Sequence, residues 1–258
     1  MIAKIVDNIK TLIIALVIAI IIRSLFFQPF YIPSSSMEPT LLVGDRIFVS
    51  KYTYGFSKHS FPFSLPIFNG RILFNKPKRG DAIVFKTPYK GDDIFPINLL
   101  CKILTTCKTD YIKRLIGLPG DKIRFIDGDL HINNNQILKT RVGTNDTIYC
   151  GNKIISVNTF EEKLPNAKKH QSVYRKNYTY QNSDEFNVPL KHYFFLGDNR
   201  DCSKDSRFLS SVGYVHEDNL IGKAQFIFFS SDYRIASVFK FWKWPESLRI
   251  KRFFKKIN

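Results

Sequence analysis

The 258-residue sequence is poor in acid, with 22 Asp and Glu against 39 Lys and Arg and a formal net charge of +17 at pH 7. Its five histidines (His59, His131, His170, His192, His216) are scattered and none of its four cysteines forms a C-x-x-C, so no zinc site of the usual spacing is present. There is no G-x-S-x-G and no histidine in a recognisable triad setting, which argues against a Ser-His-Asp hydrolase. No internal repeat is evident. Only one apolar run is long enough to cross a bilayer, so a single crossing is expected. Between that run and the C-terminal tail no strong helical period appears, which argues for a mainly β fold.

The apolar run is almost wholly Leu, Ile, Val and Ala from Thr11 to Ile22, and it resumes at Leu25, Phe26 and Phe27. A cleavable secretory signal would share its basic start, Lys4 and Lys10, but would end in a small-x-small site. Here the first such pair is Ser34 and Ser36, far downstream. Read as an anchor, 11–27 forms a helix of about 25 Å, slightly short of a hydrocarbon core of about 30 Å. Arg23 can reach the interface along its stem, where Phe27, Phe30 and Tyr31 supply aromatic surface. Lys4 and Lys10 favour a cytoplasmic N-terminus, which places the bulk of the chain in the periplasm of a bacterial inner membrane. The basicity of that bulk does not reverse the assignment, because long domains translocate largely regardless of charge.

The exported part reads as strands. Asp81–Lys86, Lys122–Ile126, Asp129–Ile132, His192–Leu196 and Ala224–Phe229 are β-branched or aromatic runs bounded by Gly80, Gly120, Asp127-Gly128, Asn133-Asn134-Asn135 and Gly197. We expect a mainly β protein with an antiparallel catalytic sheet and a smaller inserted β lobe, preceded by one transmembrane helix. The expected organisation is a cytoplasmic tail (1–10), the anchor (11–27), a β core (28–121 and 188–236), the lobe (122–187) and a basic aromatic tail (237–258). Residues 143–187 are polar and rich in Asn and Lys, as an inserted lobe or a mobile region would be. The tail interleaves aromatics with cations, which suits anionic headgroups and equally suits a tail packed on the core. The four cysteines, Cys101, Cys107, Cys150 and Cys202, allow three pairings or none.

Serine can be activated by a lysine that is neutral at working pH. Ile32-Pro33-Ser34-Ser35-Ser36-Met37-Glu38-Pro39-Thr40 offers hydroxyls just behind the anchor, and Tyr111-Ile112-Lys113-Arg114-Leu115 offers a lysine among apolar neighbours. Alone, such serines are an ordinary turn and such a lysine a solvated strand residue. Bringing a lysine pKa from about 10.4 to about 8 disfavours its charge by roughly 3 kcal/mol, so it must be buried and kept from carboxylates.

The motifs in order are more specific. Ser36-Met37-Glu38-Pro39-Thr40-Leu41-Leu42 with Gly44-Asp45 comes first, then Lys78-Arg79-Gly80-Asp81. Tyr111-Ile112-Lys113-Arg114 with Gly117-Leu118-Pro119-Gly120-Asp121 follows, and Gly197-Asp198-Asn199-Arg200-Asp201 with Ser203, Asp205, Ser206 and Arg207 comes last. Together they resemble the bacterial type I signal peptidases, from the anchor to about Ala224. The resemblance implies a serine endopeptidase that removes signal peptides from exported preproteins after small-x-small sites. It implies Ser36 as nucleophile, Lys113 as general base and Ser34 as an oxyanion donor beside the Ser36 N–H. Ser203 would orient the lysine, and Asp205 and Arg207 would form a supporting ion pair. Ile32, Met37, Leu41, Tyr111 and Ile112 would line the first substrate pocket, and Phe30, Ile47 and Val84 would help form the other. The implied partners are preproteins and the lipid bilayer, without metal, cofactor or nucleic acid, and the chain is expected to act as a monomer.

Two departures from the family pattern stand out. Cys202 replaces a small polar residue beside Ser203, and a bridge to Cys150 would tie the lobe to the core. Extra length between Phe85 and Asp110, including Ile97–Leu104, suggests a partly apolar flap against the membrane. Two other readings are a dedicated Ser-Lys peptidase with a single exported substrate, and a non-catalytic membrane-anchored binding module.

Overall fold

The structure, a computed structural model, describes residues 2–61, 64, 69–87, 109–151, 153–176, 181–232, 234–235 and 241–257. The first element is the helix α1 (Ile2–Leu25), of 24 residues. It starts earlier than the apolar run and ends before Phe27, giving a length of about 36 Å rather than about 25 Å, enough to cross a bilayer of about 30 Å. Lys4–Leu25 is long and apolar enough to span, and its spanning window is 0% buried. Such an all-round apolar surface is what lipid, not protein, would cover.

The chain leaves α1 directly into β1 (Phe27–Tyr31), which pairs antiparallel with β2 (Asp45–Ser50). A seven-stranded sheet then runs in the order β1-β2-β14-β3-β4-β12-β13. Its remaining strands are β3 (Ala82–Lys86), β4 (Asp110–Gly117), β12 (His192–Leu196), β13 (Val215–His216) and β14 (Leu220–Ser230). Every pairing in it is antiparallel. The five strand runs expected from β-branched and aromatic composition are all strands here, with β14 extended at both ends.

Period-2 alternation sorts the side chains into two cores. Ala82 and Val84 of β3 join Ile32, Met37, Leu41, Ile47, Val49 and Ile227 on one face. Ile83 and Phe85 join Leu115, Tyr193 and Phe195 on the other. A third core, built on Phe194 and Leu196, packs against a four-stranded sheet in the order β11-β5-β6-β7. Those strands are β5 (Lys122–Ile126), β6 (Asp129–Ile132), β7 (Asn135–Gln136) and β11 (Phe186–Asn187).

The polar stretch beyond it is ordered as β8 (Leu138–Cys150), β9 (Lys153–Lys163) and β10 (Lys169–Arg175), a three-stranded sheet in the order β10-β9-β8. It reads as polar because its inner face is held by a buried charge cluster. Glu162 accepts hydrogen bonds from Ser172 (2.8 Å), Tyr174 (2.7 Å) and Arg200 (2.7 Å). The disulfide Cys150–Cys202 links the tip of the β8–β9 hairpin to the core. Cys101, Cys107 and the expected flap at 97–104 lie outside the described residues.

The tail packs on the core. Ile227 N–H donates to Lys255 O (2.9 Å), Ile257 N–H donates to Gln225 O (2.8 Å), and Ile257 is buried in the same core as Met37. Arg252 pairs with the buried Asp45 at 2.6 Å, and Arg249 donates to Val43 O at 2.9 Å. Trp242, Trp244, Ile250 and Phe254 remain exposed.

Candidate active site

Ser36 sits in a 3-10 turn, Ser35–Met37, shortly after β1. The segment following β12 holds this turn. Asn199 N–H donates to Ser36 O (3.2 Å), and the Asn199 side-chain amide donates to Ser35 O (3.1 Å). Gly197 permits the approach, since a Cβ there would lie 2.2 Å from Ser203 Oγ and 2.5 Å from Ser36 O. No larger residue fits between the two segments without moving one of them.

Lys113 comes from β4, opposite Ile83 of β3. Its Nζ lies 2.5 Å from Ser36 Oγ and 3.0 Å from Ile112 O, and 5.5 Å from the centre of the Tyr111 ring. Ser34 Oγ is 3.3 Å from Ser36 Oγ, so two neighbouring hydroxyls and a lysine amine 77 positions from Ser36 form one chain. Ser36 is 7% exposed and Lys113 3%. Burial lowers the Lys113 pKa to about 8 against the opposing pull of Asp205 and Asp198, while Arg207 lowers it further.

The expectation that carboxylates would be kept away is therefore corrected: two of them are near, and each is engaged by an arginine. Asp198 accepts from Arg114 Nε and Nη2, both at 2.7 Å, and from Thr40 Oγ1 at 2.6 Å. Burial, the largest single influence, would raise its carboxyl, but Arg114 together with His170 and the Thr40 hydroxyl holds it below the ordinary value. Asp205 pairs with Arg207 at 2.8 Å and accepts the Gly197 N–H at 3.0 Å. Burial again works upward there, and Arg207 holds the carboxyl low. Each guanidinium thus satisfies a carboxylate that would otherwise favour a charged lysine.

A cleft of about 500 Å³ opens beside Ser36 and Lys113. Phe30, Ile32, Val84, Tyr111 and Ile112 line it with Ser34 and Cys202. Met37, Leu41 and Ile47 do not. They are fully buried in the core formed with Ile32 and Val84, so they support the wall rather than face the cleft. Ser203 is buried beside Gly197, close enough to Asp205 to help hold its charge. Among the described residues its Oγ meets no partner in hydrogen-bond geometry, Lys113 included.

Sequence reasoning did not assign roles to Asn199, Gly197 or the Arg114–Asp198 pair. All stand inside the motifs read as family signatures, and Arg114 is adjacent to Lys113. Glu162, which holds Arg200 from the lobe, carried no sequence signal, because a lone Glu in a polar strand looks solvated.

Residues 5–229 match the protein family described as Signal peptidase, peptidase S26. Signal peptidase I of Rickettsia typhi is 41% identical over 258 aligned residues, covering 93% of this chain and 89% of the relative. Its counterpart in Rickettsia massiliae is 41% identical, covering 93% and 88%. A solved signal peptidase I from Enterococcus faecalis V583 is 25% identical and covers 58% of this chain and 97% of that one, with a TM-score of 0.31 that carries no argument. With a family match across most of the chain and relatives of this identity, the chain belongs to the signal peptidase family, peptidase S26, and is a serine endopeptidase with an N-terminal membrane anchor.

Proposed function

We propose that this chain cleaves signal peptides from exported preproteins by a Ser36–Lys113 dyad. The observation that carries the reading is the 2.5 Å approach of Lys113 Nζ to Ser36 Oγ in a buried site where the lysine pKa falls to about 8. A neutral amine at that distance accepts the Ser36 proton as Oγ attacks the scissile carbonyl carbon. The resulting ammonium returns the proton to the departing nitrogen, freeing the mature protein and leaving the signal peptide as an ester on Ser36. Lys113 then takes a proton from water, the hydroxide attacks the ester, and the proton passes back to Ser36. Ser34 and the Ser36 N–H supply the oxyanion donors; one such donor is worth about 3 kcal/mol to the transition state.

A preference for small-x-small sites fits the apolar cleft walls, Phe30, Ile32, Val84, Tyr111 and Ile112, which suit small apolar side chains. The substrate would lie extended, bound through its backbone as an added strand. Asp205 and Arg207 act through Lys113 by setting its field, and Ser203 by filling the space against Gly197. Lys4 and Lys10 orient the anchor with its N-terminus in the cytoplasm and the catalytic domain in the periplasm, where the chain acts as a monomer.

The test is cleavage of a preprotein with an Ala-x-Ala site by purified protein in detergent. Ser36→Ala and Lys113→Met should each lower kcat/KM by at least 10²–10⁴, the usual value of a positioned base. Wild-type rates in both variants would overturn the dyad.

A further inference from the structure

A second cavity, of about 270 Å³, opens where α1 meets the sheet. It brings together Arg23 and Ser24 of the last helical turn, Gln28 of β1, Lys51 just after β2, and Lys86 and Asp110 from paired ends of β3 and β4. Asp110 also borders the catalytic cleft. Lys86 holds Asp110 at 2.8 Å, and among the described residues neither Arg23 nor Lys51 closes an ion pair of its own, although the Asp110 charge still acts on Lys51 from a distance.

Lys51 is 2% exposed, and its ammonium makes one hydrogen bond among the described residues, to Ser60 O at 2.7 Å. Burial and then the Arg23 charge lower its pKa to about 8 against a smaller opposing pull from Asp110, so it is still mostly charged at pH 7. Ser24 is 4% exposed and its hydroxyl has no hydrogen-bond partner among the described residues. A buried ammonium and a buried hydroxyl left short of acceptors are costly, and both line this cavity. The missing complement is an anion rich in acceptor oxygens.

Its place in the fold identifies the source of that anion. Arg23 stands in the last turn of the spanning helix, so the cavity lies at the bilayer surface. Ile20, Ile21 and Ile22 on the preceding turn are exposed and apolar, ready to lie against acyl chains. We propose that the cavity binds the phosphate of an anionic phospholipid through Arg23, Lys51 and the Ser24 hydroxyl, with the acyl chains running along α1. The seated lipid holds the catalytic cleft, through their common Asp110 wall, at a set height over the membrane.

The full chain in mixed micelles of phosphatidylcholine and phosphatidylglycerol tests this by native mass spectrometry, counting retained lipid. Wild type should retain phosphatidylglycerol in preference to phosphatidylcholine. Arg23→Gln, an exposed position that leaves the core intact, should weaken retention at least about fivefold, the value of one surface cation toward anionic lipid. Lys51→Met should do the same, and Lys255→Gln with Lys256→Gln, far along the chain, should not. The proposal is overturned if wild type shows no lipid preference or if Arg23→Gln retains lipid as wild type does. It is also overturned if the Lys255/Lys256 variant loses lipid equally, or if millimolar inorganic phosphate displaces it. The readout needs no peptidase activity, so its failure would leave the Ser36–Lys113 reading untouched.

Discussion

Lys113 is held in a form that the fold itself does not favour. Its pKa of about 8 lies below the unfolded value of about 10.4, so between those pH values the unfolded chain binds more protons than the folded one. Stability therefore rises with pH across that window, and below about pH 8 the whole burial penalty, about 3 kcal/mol, is in place. Lys113→Met should be inactive yet more stable than wild type at pH 7, by up to about 3 kcal/mol, with the gain fading toward pH 10. Urea unfolding in detergent at the two pH values measures it, and equal stability at pH 7 would mean the lysine carries no such penalty. The identity of this residue was legible because Lys-Arg stands in a motif and its neighbours Tyr111, Ile112 and Leu115 are apolar. Of the two arginine guards on the nearby carboxylates, Arg207 on Asp205 was legible within one motif, but Arg114 on Asp198 was not, since it joins residues 84 positions apart.

The β8–β9 hairpin is the element the sequence described least well. Strand signals rest on alternating apolar residues, and this hairpin turns Glu162 inward to meet Arg200, with both side chains about 1% exposed. Polar alternation of that kind looks like a surface loop until the partner is known. The Cys150–Cys202 bridge pins the hairpin tip to the rim of the catalytic cleft across 52 residues of sequence. In the chain-entropy account a loop of that size is worth about 4 kcal/mol. Cys150→Ser with Cys202→Ser should lower the melting temperature by roughly 10 °C for a domain of this size, at pH 7 in detergent. An unchanged melting point would show the hairpin is held by the Glu162 cluster alone.

At the scale of the molecule, α1 and the β body are nearly separate. Among the described residues only the last turn of α1 touches the body, with Ser24 buried and Lys4 to Arg23 exposed. The site draws on β1, the Ser35–Met37 turn, β4 and the segment after β12, none of which needs the helix for its pairing. A chain lacking residues 2–22 should fold, cleave a short Ala-x-Ala peptide in detergent within about threefold of the full-length kcat/KM, and fail to sediment with vesicles. Loss of peptide cleavage would mean the helix shapes the site directly. The broad architecture was legible from one apolar run and five strand runs, because each is a local pattern. The curl of the sheet that carries β1 to β4 was not, because no local pattern encodes it.

The C-terminal residues add a matter of timing. Arg252 reaches across 212 positions to Thr40 O and 207 to Asp45, and Ile257 completes the core that lies under Met37. These contacts form only after almost all of the chain has been made. A half-made molecule can pair β1 with β2, but the turn bearing Ser36 is not yet backed. The backing of the Ser36 turn is thus among the last parts of the fold to form in each new copy.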